Sequence, residues 1–175
     1  MNNKGFTLIE MMVAVGVFTL LVSAASGIFV SSLRAQRHSL ATQEILDQSS
    51  YVMEYMSRAL RMAKKDDVNG TCTTAGIPKL NYAIEGQCLK FRNYHSECQE
   101  FCLDGGRLKE VKGGSENYLT SENLTVEDFS VNLEGQQQTD NLQPKVSIFL
   151  NIDGKEKSNI KIQTTISQRN LDILK

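Results

Sequence analysis

The chain has no tryptophan, two prolines (Pro78 and Pro144) and two histidines (His38 and His95) among its 175 residues. Its four cysteines, Cys72, Cys88, Cys98 and Cys102, all fall in the second part of the chain, and none forms a Cys-x-x-Cys pair. With so little imidazole and no such spacing, a zinc centre is not expected. No glycine-rich phosphate loop occurs, and no Ser/His/Asp set stands at a useful spacing, so the residues support no enzymatic reading and no cofactor. Asp104-Gly105-Gly106 and Asp153-Gly154-Lys155-Glu156 lack the alternating acids of a calcium loop and read as turns. A net charge of −1 gives no electrostatic reason to expect nucleic acid as a direct partner. Asn123-Leu124-Thr125 fits a glycosylation acceptor, a tripeptide common by chance.

The longest absence is of charge. From Met11 to Val30 no ionisable residue occurs, and twenty helical residues at about 1.5 Å each reach ~30 Å, the thickness of a bilayer's hydrocarbon core. Thr19, Ser23 and Ser26 are tolerable there because their hydroxyls can bond to backbone carbonyls one turn back. Directly before this run stands Glu10. A lone acid in lipid costs on the order of 3 kcal/mol or more, so Glu10 calls for a functional reason. An ordinary secretory signal would take Lys4 as its basic region and Ser23-Ala24-Ala25 as its cleavage site. Glu10, and a helical pattern that continues past Ala25, count against that reading. Lys4 precedes the segment while Arg34, Arg37 and His38 follow it, so charge alone would place the N-terminus outside.

Between Ser31 and Lys65 there is no proline and no glycine. Leu46, Met53 and Leu60 recur every seven residues, joined by Ile45, Val52, Met56 and Met62, which predicts one apolar stripe on a long helix. Tyr51, Met53 and Met56 are expected to pack against a sheet rather than to form a partner surface. Lys64 and Lys65 suit a helix C-terminus, with Asp66-Asp67 and Asn69-Gly70 as the stop. This stretch carries six basic residues against three acids, and the chain from Asp66 onward carries twelve against sixteen, about +3 and −4.

Beyond Gly70 the period changes to two. Leu80–Ile84, Gln87–Arg92, Phe101–Leu103, Arg107–Lys112, Leu124–Leu133, Lys145–Ile152 and Asn159–Ser167 are candidate strands. Glu85-Gly86, Asp104-Gly105-Gly106 and Asp153-Gly154 mark turns, Pro78 and Pro144 precede strands, and Gly135–Gln143 reads as an exposed loop. A long helix followed by an antiparallel sheet is an α+β plan. Four cysteines beyond an export-type segment read as two disulfides. If Cys98 and Cys102 share a strand they are ~13 Å apart, too far to bridge. A hairpin centred on His95 then sets Cys88 opposite Cys102 and leaves Cys72 for Cys98. An irregular 98–102 turn would instead pair Cys72 with Cys88 and Cys98 with Cys102.

Lys4-Gly5-Phe6-Thr7-Leu8-Ile9-Glu10 with its apolar run resembles the prepilin signature of type IV pilins and type II secretion pseudopilins. The resemblance implies a pilin fold, with a 1–5 leader, a 6–30 transmembrane and assembly helix, a 31–65 amphipathic stalk helix and a 66–175 β-rich head. It implies that a membrane prepilin peptidase cuts the Gly5–Phe6 bond and that Phe6 becomes the N-terminus, commonly N-methylated. Glu10 would pair with the Phe6 amine of an adjacent subunit, bringing together two charges that are costly apart in lipid. The implied partners are other pilin or pseudopilin subunits, the peptidase, the inner-membrane assembly platform and the membrane itself, with the N-terminus cytoplasmic and the head outside. Gly27 stands where many major pilins carry a helix-bending proline, which leans towards a minor subunit. Phe101–Leu108 and Gln163–Asn170 resemble minor pilins and pseudopilins of the J/W type. A soluble protein released near Ala25 and a single-pass anchored sensor head are the contrasting expectations.

Overall fold

A computed structural model describes residues 5–67, 70–73, 80–136 and 142–169. Lys4, Asn69, Pro78, Asn170 and the centre of the predicted Gly135–Gln143 loop lie outside the described residues. Helix α1 runs from Leu8 to Arg61. It is followed by β1 (Tyr82–Glu85), β2 (Cys88–Arg92), β3 (Cys98–Asp104), β4 (Arg107–Lys112), β5 (Ser115–Tyr118), β6 (Thr125–Glu134), β7 (Lys145–Asp153) and β8 (Asn159–Ser167). The architecture is α+β, one long apolar N-terminal helix packed on antiparallel sheets, in line with the expected pilin fold. Contacts divide the chain into two units, 1–40 and 41–175.

In the first unit α1 is a bare helix. Every described residue up to Leu40 is exposed, apolar ones included, so nothing within this unit covers them. By length and composition the helix is able to cross a membrane. Its polar interruptions are closed internally: Thr19 Oγ1 donates to the Gly16 carbonyl, Ser23 Oγ to Thr19 and Ser26 Oγ to Val22, each at 2.8 Å. The helix passes through Gly16 and Gly27 without a break.

In the second unit the remainder of α1 joins a five-stranded meander, β1-β2-β3-β4-β5, and a three-stranded meander, β6-β7-β8, around one core. Ile45, Val52, Met56 and Leu60 of α1 are buried with Leu89, Phe91, Phe101 and Leu108 of the larger sheet and Val126, Phe129, Val146, Ile148, Leu150, Ile152 and Ile166 of the smaller. The helix seam is Ala41, Ile45, Ser49, Val52, Met56 and Leu60. This corrects the predicted stripe: Leu46 is 45% and Met62 39% exposed, and Tyr51 is 59% exposed rather than packed on a sheet. Small residues occupy the seam positions that heptad counting overlooked. Ser49 fits because its hydroxyl is satisfied by the Leu46 carbonyl at 3.1 Å.

The unbroken helical pattern predicts a helix to Lys65, whereas α1 stops at Arg61. After it the chain turns extended, and the Lys64 and Asp66 N–H groups donate to Arg92 and Leu80, each at 2.9 Å. The last carbonyls of α1 are then satisfied from far away. Tyr82 Oη donates to Leu60 at 2.7 Å, the Arg169 N–H to Arg61 at 2.8 Å, and Gln168 Nε2 to Ala63 just beyond at 2.8 Å. No local capping glycine is needed.

The predicted turns at Glu85-Gly86 and Asp104-Gly105-Gly106 are present, with positive φ at Gly86, Gly105 and Gly106. Strand β5 was not foreseen, because Ser-Glu-Asn-Tyr has no apolar alternation and its residues are all exposed. The preceding Gly113-Gly114, both with positive φ, form a two-residue hairpin loop that was the available signal. Asp153-Gly154 joins β7 to β8 through a five-residue loop, since Asp153 pairs with Asn159 and a 3₁₀ turn covers Lys155–Lys157. Gly154 is extended (φ −129°), so turn chemistry does not explain it. A Cβ there would stand 2.5 Å from Cδ1 of buried Ile45, and the glycine is required for close approach of the loop to α1.

The disulfides are Cys72–Cys98 and Cys88–Cys102. Cys88 and Cys102 are directly opposed in the β2–β3 hairpin. Cys72 belongs to a loop organised by the buried Asp66 carboxylate. That carboxylate accepts the N–H groups of Cys72 and Thr73, each at 2.8 Å, the Thr73 hydroxyl at 2.9 Å and the Asp67 N–H at 2.9 Å.

Candidate processing and assembly site

Residues 5–7 carry no helical assignment, and α1 begins at Leu8. Thr7 caps it. The Thr7 N–H donates to Glu10 Oε2 at 2.9 Å and the Thr7 hydroxyl to the same oxygen at 2.8 Å. The Glu10 N–H is directed back at Thr7 Oγ1 at 3.4 Å. This is a capping box: Thr7 is the N-cap, Glu10 the third helical residue, and each satisfies backbone donors that the first turn leaves open. The carboxylate also lies at the positive end of the helix dipole. Thr-x-x-Glu before an apolar run is a recognised sequence signal, so Glu10 has a local duty at the helix start besides the membrane cost and the assembly pairing expected of it.

The cap fixes where the helix starts, two residues beyond the Gly5–Phe6 bond. That bond is in exposed, non-helical backbone, and the Phe6 ring is 83% exposed. A Cβ at Gly5 would meet no atom within 4 Å, and its φ is outside the left-handed region. Neither packing nor backbone strain within the chain requires glycine there. The structure therefore brings Gly5, Phe6, Thr7 and Glu10 to one helix end, whereas Cys72, Cys88, Cys98 and Cys102 belong to the second unit and serve its fold.

The acids Asp104 and Asp153 of the two turns are engaged within the head. Asp104 pairs with Lys109 Nζ at 3.1 Å and accepts from the Tyr118 hydroxyl at 3.2 Å, and the hydrogen bond from Lys109 holds its carboxyl below the usual range. Asp153 accepts from Asn159 Nδ2. Cys88, Cys102 and Glu100 come together, but the two sulfurs are spent on each other and present no thiolate to a metal.

Among known families, the prokaryotic N-terminal methylation motif matches residues 1–26. No curated protein and no solved structure matches the chain. The motif covers the capped helix start and most of the apolar run, and it is a mark of structural proteins rather than enzymes. Together with the exposed apolar helix it supports a membrane-anchored precursor of the type IV pilin-like or pseudopilin kind.

Proposed function

We propose that this chain is a minor structural subunit of a type IV pilus or type II secretion pseudopilus. A prepilin peptidase cuts the Gly5–Phe6 bond, and the new Phe6 amine, N-methylated as the motif suggests, pairs with Glu10 of a neighbouring copy. The helix enters a bundle at the inner-membrane assembly platform, and the β-rich head stays outside the cytoplasm. One observation carries this reading: Glu10 stands at the capped start of a helix whose next twenty residues are uncharged and exposed, one turn from an accessible Gly–Phe bond. Pairing with an amine gives that acid a partner when the helix is in lipid or among other helices. The helix also runs unbroken through Ser23–Ala25, which supports a retained helix over release at that point.

Mass spectrometry of the mature protein is expected to find a chain beginning at Phe6. A chain beginning near Ala25 would sink the proposal in favour of a released soluble protein. Glu10→Ala is expected to remain membrane-inserted and processed yet to drop out of purified filaments, with incorporation reduced about tenfold or more, the effect of ~1.4 kcal/mol or greater. Normal incorporation of that variant would overturn the role given to Glu10. A correctly processed chain that never enters a polymer would identify an anchored head instead.

A further inference from the structure

The two sheets end in four edge strands, and they are not alike. β1 and β5 are only four residues long. β6 carries Glu127, Asp128 and Glu134, its register shifts between Val126 and Asp128, and its Val126 N–H is tied to the Gly106 carbonyl at 2.7 Å. Short length, charge and a bulge are the usual protections of an edge. β8 has little of this protection. It is nine residues long, its register with β7 is continuous from Asp153–Asn159 to Lys145–Ser167, and Lys161 is its single charge.

Which backbone groups of β8 face outward follows from the bonds at its two ends. The Gln168 N–H donates to the Pro144 carbonyl at 3.0 Å, and the Gly154 N–H to the Ser158 carbonyl at 2.8 Å. Hydrogen-bonded pairs alternate along an antiparallel ladder. Ile160, Ile162, Thr164 and Ile166 therefore turn their N–H and C=O groups to β7, and Asn159, Lys161, Gln163, Thr165 and Ser167 turn theirs away. Among the described residues no backbone hydrogen bond reaches that outer row.

We propose that β8 is a docking edge for β8 of a second copy of this chain, antiparallel and centred on Gln163. The strand is self-complementary in that register. Lys161 falls opposite Thr165 of the other copy rather than opposite its own kind, Asn159 opposite Ser167, and the central Gln163 residues face each other. The outward-bonding residues all match one another, so the new ladder uses the groups that β7 leaves free. On the core-facing side Ile160 meets Ile166 and Ile162 meets Thr164, giving apolar neighbours to Ile160 and Ile162, which are only half-buried in one copy. Self-match along all nine residues is the argument for a second copy as the occupant.

The test uses the full chain in detergent micelles. Gln163→Cys, treated with a short bis-maleimide, is expected to give a covalent dimer. Sedimentation should show association weakened several-fold by Gln163→Lys and by Gln163→Glu, since each sets like charges face to face, and restored in an equal mixture of the two. Gln163 is exposed, so the thermal midpoints of these variants should match that of the parent. Unchanged association of the lysine variant, or no cross-link from the cysteine variant, would overturn the proposal. Capture in cells of a different protein alone would also overturn it and assign the edge to that protein. Association through β8 is read independently of processing: a mature chain beginning at Phe6 remains the readout for the N-terminal proposal whichever way this test falls.

Discussion

Single residues in this protein are held by what they are bonded to more than by where they sit. Asp66 is the clearest case in the head, a 4% exposed carboxylate accepting three N–H groups and a hydroxyl. Asp66→Ala would leave those donors buried without an acceptor, and a loss of about 3 kcal/mol is expected in urea unfolding, with Asp66→Asn recovering part of it. A loss under about 0.5 kcal/mol would show that the loop does not depend on the carboxylate. Two tyrosines give the head an alkaline limit. Burial, then the hydrogen bond to Glu110 and its charge, pushes the Tyr55 phenol up to about 12, and burial pushes Tyr82 up as well. An unfolded tyrosine titrates near ~10, so the unfolded chain loses these protons first. Stability from both groups is complete below pH ~10 and falls as pH rises towards about 12. The pH dependence of the denaturation midpoint should be flatter over this window in a Tyr55→Phe/Tyr82→Phe double variant than in the parent. Identical slopes would refute the assignment.

At the scale of elements, α1 is set at its two ends by different means. Its start is written locally, in Thr7 and Glu10, and its end is completed by Tyr82 of β1 and by Gln168 and Arg169 just after β8. The buried Gln168 side chain has a plain structural duty just beyond the end of α1. The contact between α1 and the β7–β8 loop is equally specific. Gly154→Ala drives a methyl group into Ile45, which at 2% exposure has no room to swing away, and should cost about 1–3 kcal/mol. Ile45→Val removes Cδ1, the nearest clashing atom, while a γ-carbon at 2.8 Å remains, so the double variant is expected to recover part of the clash and to be more stable than the two single losses sum to. Simple additivity in thermal or urea unfolding would mean that the loop relieves the clash by moving.

Over the whole molecule, local regularities were legible and distant approaches were not. The uncharged run from Met11 to Val30, the alternation of Val146, Ile148, Leu150 and Ile152, and the turn glycines at 86, 105 and 106 each act on neighbours in sequence, and these elements stand where they were expected. The capping box is local as well, four consecutive residues from Thr7 to Glu10 ahead of an apolar run. β5 was masked by the lack of an apolar face on an exposed strand. Other features depended on segments far apart in the chain. The helix seam takes in Ala41 and Ser49, which are buried though neither is a large apolar residue, and beyond Arg61 the Lys64 and Asp66 N–H groups bond to Arg92 and Leu80 instead of continuing the helix. By itself, then, the sequence determined a helix that begins with one acid and a twenty-residue uncharged run, and a head of antiparallel hairpins, since helical spacing and turn chemistry act over a few residues. Only the tertiary structure decided which helix face is buried, why residue 154 is glycine, which of the two disulfide pairings open to the sequence is formed, and that no backbone hydrogen bond among the described residues reaches the outer edge of β8. The helix face and Gly154 depend on segments far apart in the chain, and the disulfide choice on where the Cys72 loop lies, proximities that helical spacing and turn chemistry do not encode.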